Sequence, residues 1–189
     1  MVTSDLSTPG CEHFFFGLDG TAELQCADRR FALEQGGFGY IPVSTAFQLH
    51  GGAGGPAQVL WIKRRYEGWP GLGPPGLYGG HRRDVPATQS AVLGLLRNEL
   101  ISAEDPAFDF NMTLMSFDAS VSLPQIEIHD EEHGLYMISG AGAYHLDGQH
   151  HEVHAGDFVY MAPFCPQGFR ADTRGAEYLL YKDVYRDGF

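Results

Sequence analysis

Residues 124–167 read PQIEIHDEEHGLYMISGAGAYHLDGQHHEVHAGDFVYMAPFCPQ, and the rest of the 189-residue chain reads as support for them. Glu127, His129 and His133 are separated by even intervals. On an extended strand successive side chains alternate faces, so this spacing predicts that all three point the same way. One face then carries a carboxylate and two imidazoles, the donors that hold a borderline divalent cation such as Mn, Fe, Co, Ni or Zn. Gly140 reads as a tight turn, Tyr144 opens the returning strand, and Asp147-Gly148 marks a hairpin between two alternating segments. Gly156-Asp157 is a further turn, after which Phe158, Val159, Tyr160 and Met161 form a short buried strand leading to Pro163 and Gln167. His145, His150, His151 and His154 gather around the DGQHH hairpin and read as solvent-exposed.

The same words occur earlier in weaker form. Glu12-His13 matches Glu132-His133, Gly20 matches Gly140 and Gly36 matches Gly156, each pair 120 residues apart. AQVLWIK, from Ala57 to Lys63, matches AEYLLYK, from Ala176 to Lys182. Spacing kept over that distance implies two copies of one β unit. Between them GWPGLGPPGLYGG, Gly68 to Gly80, is too rich in Gly and Pro for regular structure and reads as a linker. Val92, Leu93, Leu95, Leu96 and Leu100 recur at roughly helical spacing within 86–101, which predicts a short helix or turn with Thr88 or Ser90 as cap. The division expected is therefore 1–67, a linker with a short helix over 68–105, and 106–189.

Composition bounds the rest. Hydrophobic content of 43% with 25 Gly and 11 Pro fits many short strands and turns, an all-β chain. A formal net charge of −12 and three isolated Arg-Arg pairs argue against a nucleic-acid partner. Cys11, Cys26 and Cys165 form no CxxC and leave an odd count, so free thiols in a reducing compartment are expected. Cys165, two residues from Gln167, reads as a small buried apolar residue. No signal peptide and no membrane-length apolar run is visible, which points to a cytoplasmic protein without a membrane partner.

In the tail EYLLYKDV, Tyr178, Leu180 and Lys182 share one face of a strand. If that face points inward, Tyr178 and Lys182 look toward the same place as the metal donors, with Tyr144 reaching it from the hairpin strand.

The spacing Glu127-x-His129-x3-His133-x6-Gly140, followed by the segment from Gly156 to Gln167, resembles the two-part signature of the cupin superfamily. Carboxylate and imidazole are exchanged between its first and third slots, the second-part proline is displaced to Pro163, and the glycine after it is absent. Gln167 stands where the last histidine falls. With EIHDEEHG, GDFVYMAPFCPQ and YLLYKDV, this set resembles the (S)-ureidoglycine aminohydrolase family, bicupin manganese enzymes of purine and allantoin breakdown.

The resemblance implies a double cupin of two β-barrels, with Glu127, His129, His133 and Gln167 holding Mn(II) ahead of Fe, Co, Ni or Zn. It implies a first copy without metal, since its slots hold Ser7, Pro9 and Phe47 and leave only His13. That barrel would be filled by side chains such as Phe14, Phe16, Phe38 and Phe47. It also implies a strand segment ahead of the first copy, so that copy is expected to be incomplete at its amino end. The reaction implied replaces the amine of (S)-ureidoglycine by water, giving (S)-ureidoglycolate and ammonia. Lys182 would move protons as the catalytic residue, and Tyr144, Tyr178 and Lys182 would contact the small-molecule substrate. Paired cupins with an acidic surface point to a homo-oligomer. An iron cupin dioxygenase and a non-catalytic ligand-binding cupin are the alternatives, and Gln167 with the YLLYKDV tail argues against both.

Overall fold

Glycine turns and strand alternation, rather than helical periodicity, govern the backbone. The computed structural model describes residues 2–184, and its contacts divide into two units, Met1–Val85 and Pro86–Phe189. Among the described residues the one helical element is a 3-10 turn, Arg82–Asp84. No helix among those residues is long and apolar enough to cross a membrane.

The first unit contains β1 (Cys11–Asp19), β2 (Ala22–Cys26), β3 (Arg29–Ala32), β4 (Gly37–Ile41), β5 (Gln48–Gly51), β6 (Gln58–Arg65) and β7 (Tyr78–His81). They form a four-stranded sheet in the order β6-β1-β4-β7 and a three-stranded sheet in the order β3-β2-β5. Phe15, Leu24, Phe31, Leu33, Ile41 and Phe47 make one buried cluster. Phe14, Phe16 and Phe38, expected alongside Phe47, are buried as well. They lie on the other face of β1 and β4, where Phe14 stacks on Phe38 at 6.0 Å. Strand alternation puts His13 and Phe15 on one side and Phe14 and Phe16 on the other, so the four phenylalanines cannot share one interior.

The second unit contains β8 (Thr88–Gln89), β9 (Leu95–Ile101), β10 (Phe110–Phe117), β11 (His133–Leu146), β12 (Gln149–His154), β13 (Phe158–Met161) and β14 (Gln167–Asp183). The sheet order is β12-β11-β14-β10-β9-β8, with β13 also pairing β11. Every pairing is antiparallel, and the long β11 and β14 run together from His133↔Lys182 to Leu146↔Gln167. The core gathers Leu95, Met115, Leu135, Met137, Phe169 and Tyr178.

The backbone departs from the sequence expectations in three places. Residues 86–101 form no helix: Gly94 adopts φ 81°, and Leu95–Ile101 pairs along β10. Burying that strand against a ready ladder outweighs what a short isolated helix gains. Neither proposed cap serves as one: Thr88 lies in a strand paired opposite Arg97, and Ser90 holds a turn, its Oγ accepting from Val92 N–H at 3.3 Å and its N–H donating to Leu95 C=O at 2.9 Å. The segment 68–105 is not one linker, since β7 pairs with β4 while β9 pairs with β10. Gly140 does not end a strand either. At φ 75° it sits at a register shift inside β11, and a Cβ there would collide with the Gly175 carbonyl.

The 120-residue correspondence survives in the pairing. His13 stands opposite Lys63 in β1 and β6, as His133 stands opposite Lys182 in β11 and β14. Gly20, at φ 67°, would have its Cβ in the Pro56 carbonyl, as Gly140 would in that of Gly175.

Candidate active site

A cavity of about 370 Å³ in the second unit is lined by Glu127, His129, His133, Gln167, Tyr144, Tyr178 and Lys182 together. That volume suits a small metabolite. An open depression of about 440 Å³ elsewhere on the unit is lined by none of the seven. One of its cations, Arg174, is already paired with Asp172 at 3.4 Å.

The donors converge for a reason other than the one their spacing suggests. Glu127 and His129 do not lie on a strand with His133. Glu127 is an isolated bridge opposite Gln167, closed by Glu127 N–H to Gln167 C=O at 2.8 Å and Gln167 N–H to Glu127 C=O at 2.9 Å. Phe164 N–H, donating to the His129 carbonyl, continues the same contact. A bend at Asp130 and Glu131 then delivers the chain to His133, the first residue of β11. Evenness of spacing is thus not what brings the three together, although all three border the one cavity.

Glu127 Oε2 lies 3.3 Å from His129 Nε2, and the rings of His129 and His133 are 4.8 Å apart. His133 is buried, with Nδ1 2.9 Å from the Glu131 carbonyl. A carbonyl only accepts, so Nδ1 carries the proton and Nε2 keeps its lone pair, the usual arrangement for a metal-ligating imidazole held from behind. Burial first, then the Lys182 ammonium, lowers the His133 pKa to about 4, which keeps the ring neutral. Gln167 is 4% exposed; its Oε1 accepts from the Tyr144 hydroxyl at 3.0 Å and retains a second lone pair.

No group of three or more His, Cys, Asp or Glu side chains is drawn together at metal-holding separations among the described residues. The chemistry of the set nevertheless fits a hard or borderline cation: one carboxylate, two imidazoles and one amide oxygen border a common space. Cys165 is half-buried rather than buried, with Sγ 3.7 Å from the Pro166 carbonyl.

Lys182 and the tyrosines occupy the inward face of β14 and the hairpin strand. Lys182 Nζ is 3.2 Å from Glu131 Oε1. Burial works to raise the Glu131 carboxyl, but its own backbone N–H and the Lys182 ammonium hold it below the ordinary carboxylate value. Burial, with the Glu127 charge behind it, pushes the Tyr144 phenol up. The Tyr178 phenol is raised by burial first, then by Tyr144 and Glu127. Both hydroxyls therefore stay protonated donors at neutral pH.

Sequence reasoning missed Glu131, whose side chain holds Lys182 and whose carbonyl holds His133. It also missed Ser90, Val92, Leu95 and Arg97, which form one wall. The first group was hidden in an acidic run that reads as a solvated bend, and the second in a segment read as helical.

The same positions in the first unit are differently used. Glu12 is fully buried and accepts from Tyr40 Oη at 2.6 Å. His13 packs on Phe47 at 4.8 Å and accepts from Trp61 Nε1 at its Nδ1, 3.2 Å away.

Residues 114–180 match the family model for the Cupin domain, so the second unit, with its antiparallel sheet, is a cupin. Over 186 residues the chain is 30% identical to the (S)-ureidoglycine aminohydrolase of Escherichia coli (strain K12), covering 94% of this chain and 69% of that one. It is 31% identical over 187 residues to a probable (S)-ureidoglycine aminohydrolase of Oryza sativa subsp. japonica, covering 97% and 59%. The crystal structure of protein Ylba from E. coli superposes with a TM-score of 0.86 at 27% identity, covering 99% of this chain and 73% of that one. The chain belongs to the (S)-ureidoglycine aminohydrolase family.

Proposed function

We propose that this chain is a metal-dependent aminohydrolase that converts (S)-ureidoglycine and water to (S)-ureidoglycolate and ammonia, with its working site in the second unit. Membership of the family supports the reaction. The observation that carries the site is the single cavity bordered by Glu127, His129, His133 and Gln167 together with Lys182, Tyr144 and Tyr178. The four donors would hold the cation, Mn(II) before Fe, Co, Ni or Zn, since the amide and carboxylate oxygens are hard ligands. Once bound, such a cation supplies Lewis acidity and a template for the chelating amine and carboxylate of the substrate.

The remaining work falls to side chains. Lys182 donates a proton to the departing amine and recovers one from the water that replaces it, and the Glu131 carboxylate 3.2 Å away holds the ammonium in position for both. Tyr144 and Tyr178, kept protonated by burial, donate hydrogen bonds to the ureido or carboxylate end. Tyr144 also fixes the rotamer of Gln167 through its hydroxyl.

The first unit is, in the same reading, a second cupin copy without metal, which makes the chain a bicupin. Support comes from the His13↔Lys63 register, from Phe47 falling where Gln167 falls, and from an imidazole wedged between aromatic rings. A cytoplasmic homo-oligomer acting on a small molecule, not on nucleic acid or membrane, completes the proposal; the formal charge of −12 favours it.

Ammonia release from freshly generated ureidoglycine, measured with Mn(II)-loaded protein, tests the proposal. Glu127→Ala should keep the fold, lose bound metal and lose activity by about 100-fold or more. Folded, metal-loaded wild type that releases no ammonia refutes it.

A further inference from the structure

The substrate proposed above is a carboxylate, while the chain that must attract it is strongly acidic. A compensating positive group is needed at the cavity itself. Two Lys or Arg side chains border that space, Lys182 and Arg97. Lys182 is committed to Glu131 at 3.2 Å. Arg97 is less committed. Its Nη2 lies 3.4 Å from Glu99 Oε1, its side chain is 41% exposed, and its buried Nε has no hydrogen-bond partner among the described residues. A buried N–H without an acceptor is costly, and an arriving anion would relieve it.

The register shows how Arg97 comes to face the chemistry. On β9 it stands opposite Met115, and Met115 stands opposite Tyr178. Residues opposite one another on neighbouring strands share a face, and each strand step is about 4.8 Å. Arg97 therefore lies two strand steps across from Tyr178, while Lys182 lies four residues along β14 from that tyrosine. The cavity thus has a guanidinium toward one end and an ammonium toward the other.

We infer that Arg97 is a substrate-binding residue whose guanidinium fork takes the carboxylate of the ureido acid from the β9 side. A planar fork with an uncommitted N–H matches a carboxylate better than an ammonium does. The assignment rests on the aminohydrolase reading only for the identity of the acid. It separates the two cations by role: Arg97 orients, and Lys182 handles the proton.

The test uses hydantoate (N-carbamoylglycine), which keeps the carboxylate and the ureido group but lacks the amine that leaves, and its neutral amide. Binding of each to Mn(II)-loaded protein is measured by titration calorimetry, with metal content checked in parallel. Arg97→Gln should weaken hydantoate by about 10- to 100-fold, the usual loss for one charge-assisted contact. Binding of the neutral amide and of metal should not change. Arg97→Lys should lose several-fold, and it decides the matter should Arg97→Gln not fold. Wild-type protein that ignores hydantoate, a variant that binds it normally, or equal loss of acid and amide would each overturn the inference. Ammonia assays on the same samples keep the two readings apart. Arg97-dependent hydantoate binding without ammonia release sinks the reaction and leaves the carboxylate site standing. Release with a KM unaffected by Arg97→Gln does the reverse.

Discussion

Acidification should destabilise the first unit through a single buried imidazole. His13 is 1% exposed, and burial, with the Lys63 ammonium behind it, lowers its pKa from 6.5 to about 4. In the unfolded chain the ring takes up a proton near pH 6.5, while the folded unit refuses it until about pH 4. The unfolded state therefore binds more protons between those values, and stability falls as the pH falls through that window. It is fully present above pH 6.5. The difference amounts to about 2 kcal/mol at pH 5 and at most about 3 kcal/mol near pH 4.

Both tryptophans, Trp61 and Trp69, belong to the first unit, so urea unfolding followed by tryptophan fluorescence reports on that unit without the second. His13→Leu keeps the volume nearly constant and removes the titration. Trp61, which loses an acceptor, is 41% exposed and turns to water. Between pH 7 and pH 5 the wild-type transition should lose about 2 kcal/mol more than the His13→Leu transition. Parallel losses in the two proteins would refute the reasoning.

Two further outcomes follow from the second unit. Gly140→Ala pays for a left-handed backbone and for a collision with the Gly175 carbonyl, whereas Gly148→Ala, at φ 81°, meets nothing within 4 Å. Chemical denaturation should show about 1 kcal/mol lost at 148 and at least twice that at 140, and equal losses would contradict the bulge geometry. Lys182→Met should lower kcat by about 100-fold or more while hydantoate affinity changes little, since the proposal gives it the proton and not the carboxylate. A change confined to KM would assign Lys182 to binding instead.

Part of the cavity lining was legible in the sequence. Tyr178 and Lys182 share a face because strand alternation is a local rule, and β14 obeys it. The Asp147-Gly148 hairpin and the exposure of His150, His151 and His154 were likewise set by turn chemistry and polarity. The Phe158–Met161 strand forms but is not buried throughout, for Val159 and Met161 turn inward while Phe158 and Tyr160 stay exposed, and His145 is half-buried. The helix expected over 86–101 failed because its apolar spacing fits a strand as readily, and only β10 decided between them.

Sequence by itself determined that the chain is rich in strands and turns, since glycine, proline and side-chain alternation are local signals. It grouped Glu127, His129 and His133 on a spacing the fold does not use, and Gln167 joined them only through the family resemblance. What only the tertiary structure decided is how they meet. A bridge from Glu127 to Gln167 spans forty residues of chain, Glu131 holds His133 and Lys182 at once, and Arg97 reaches the cavity through the register of two strand pairs. Pairing partners distant in sequence leave no local pattern, since any alternating segment could have filled the neighbouring place in the sheet.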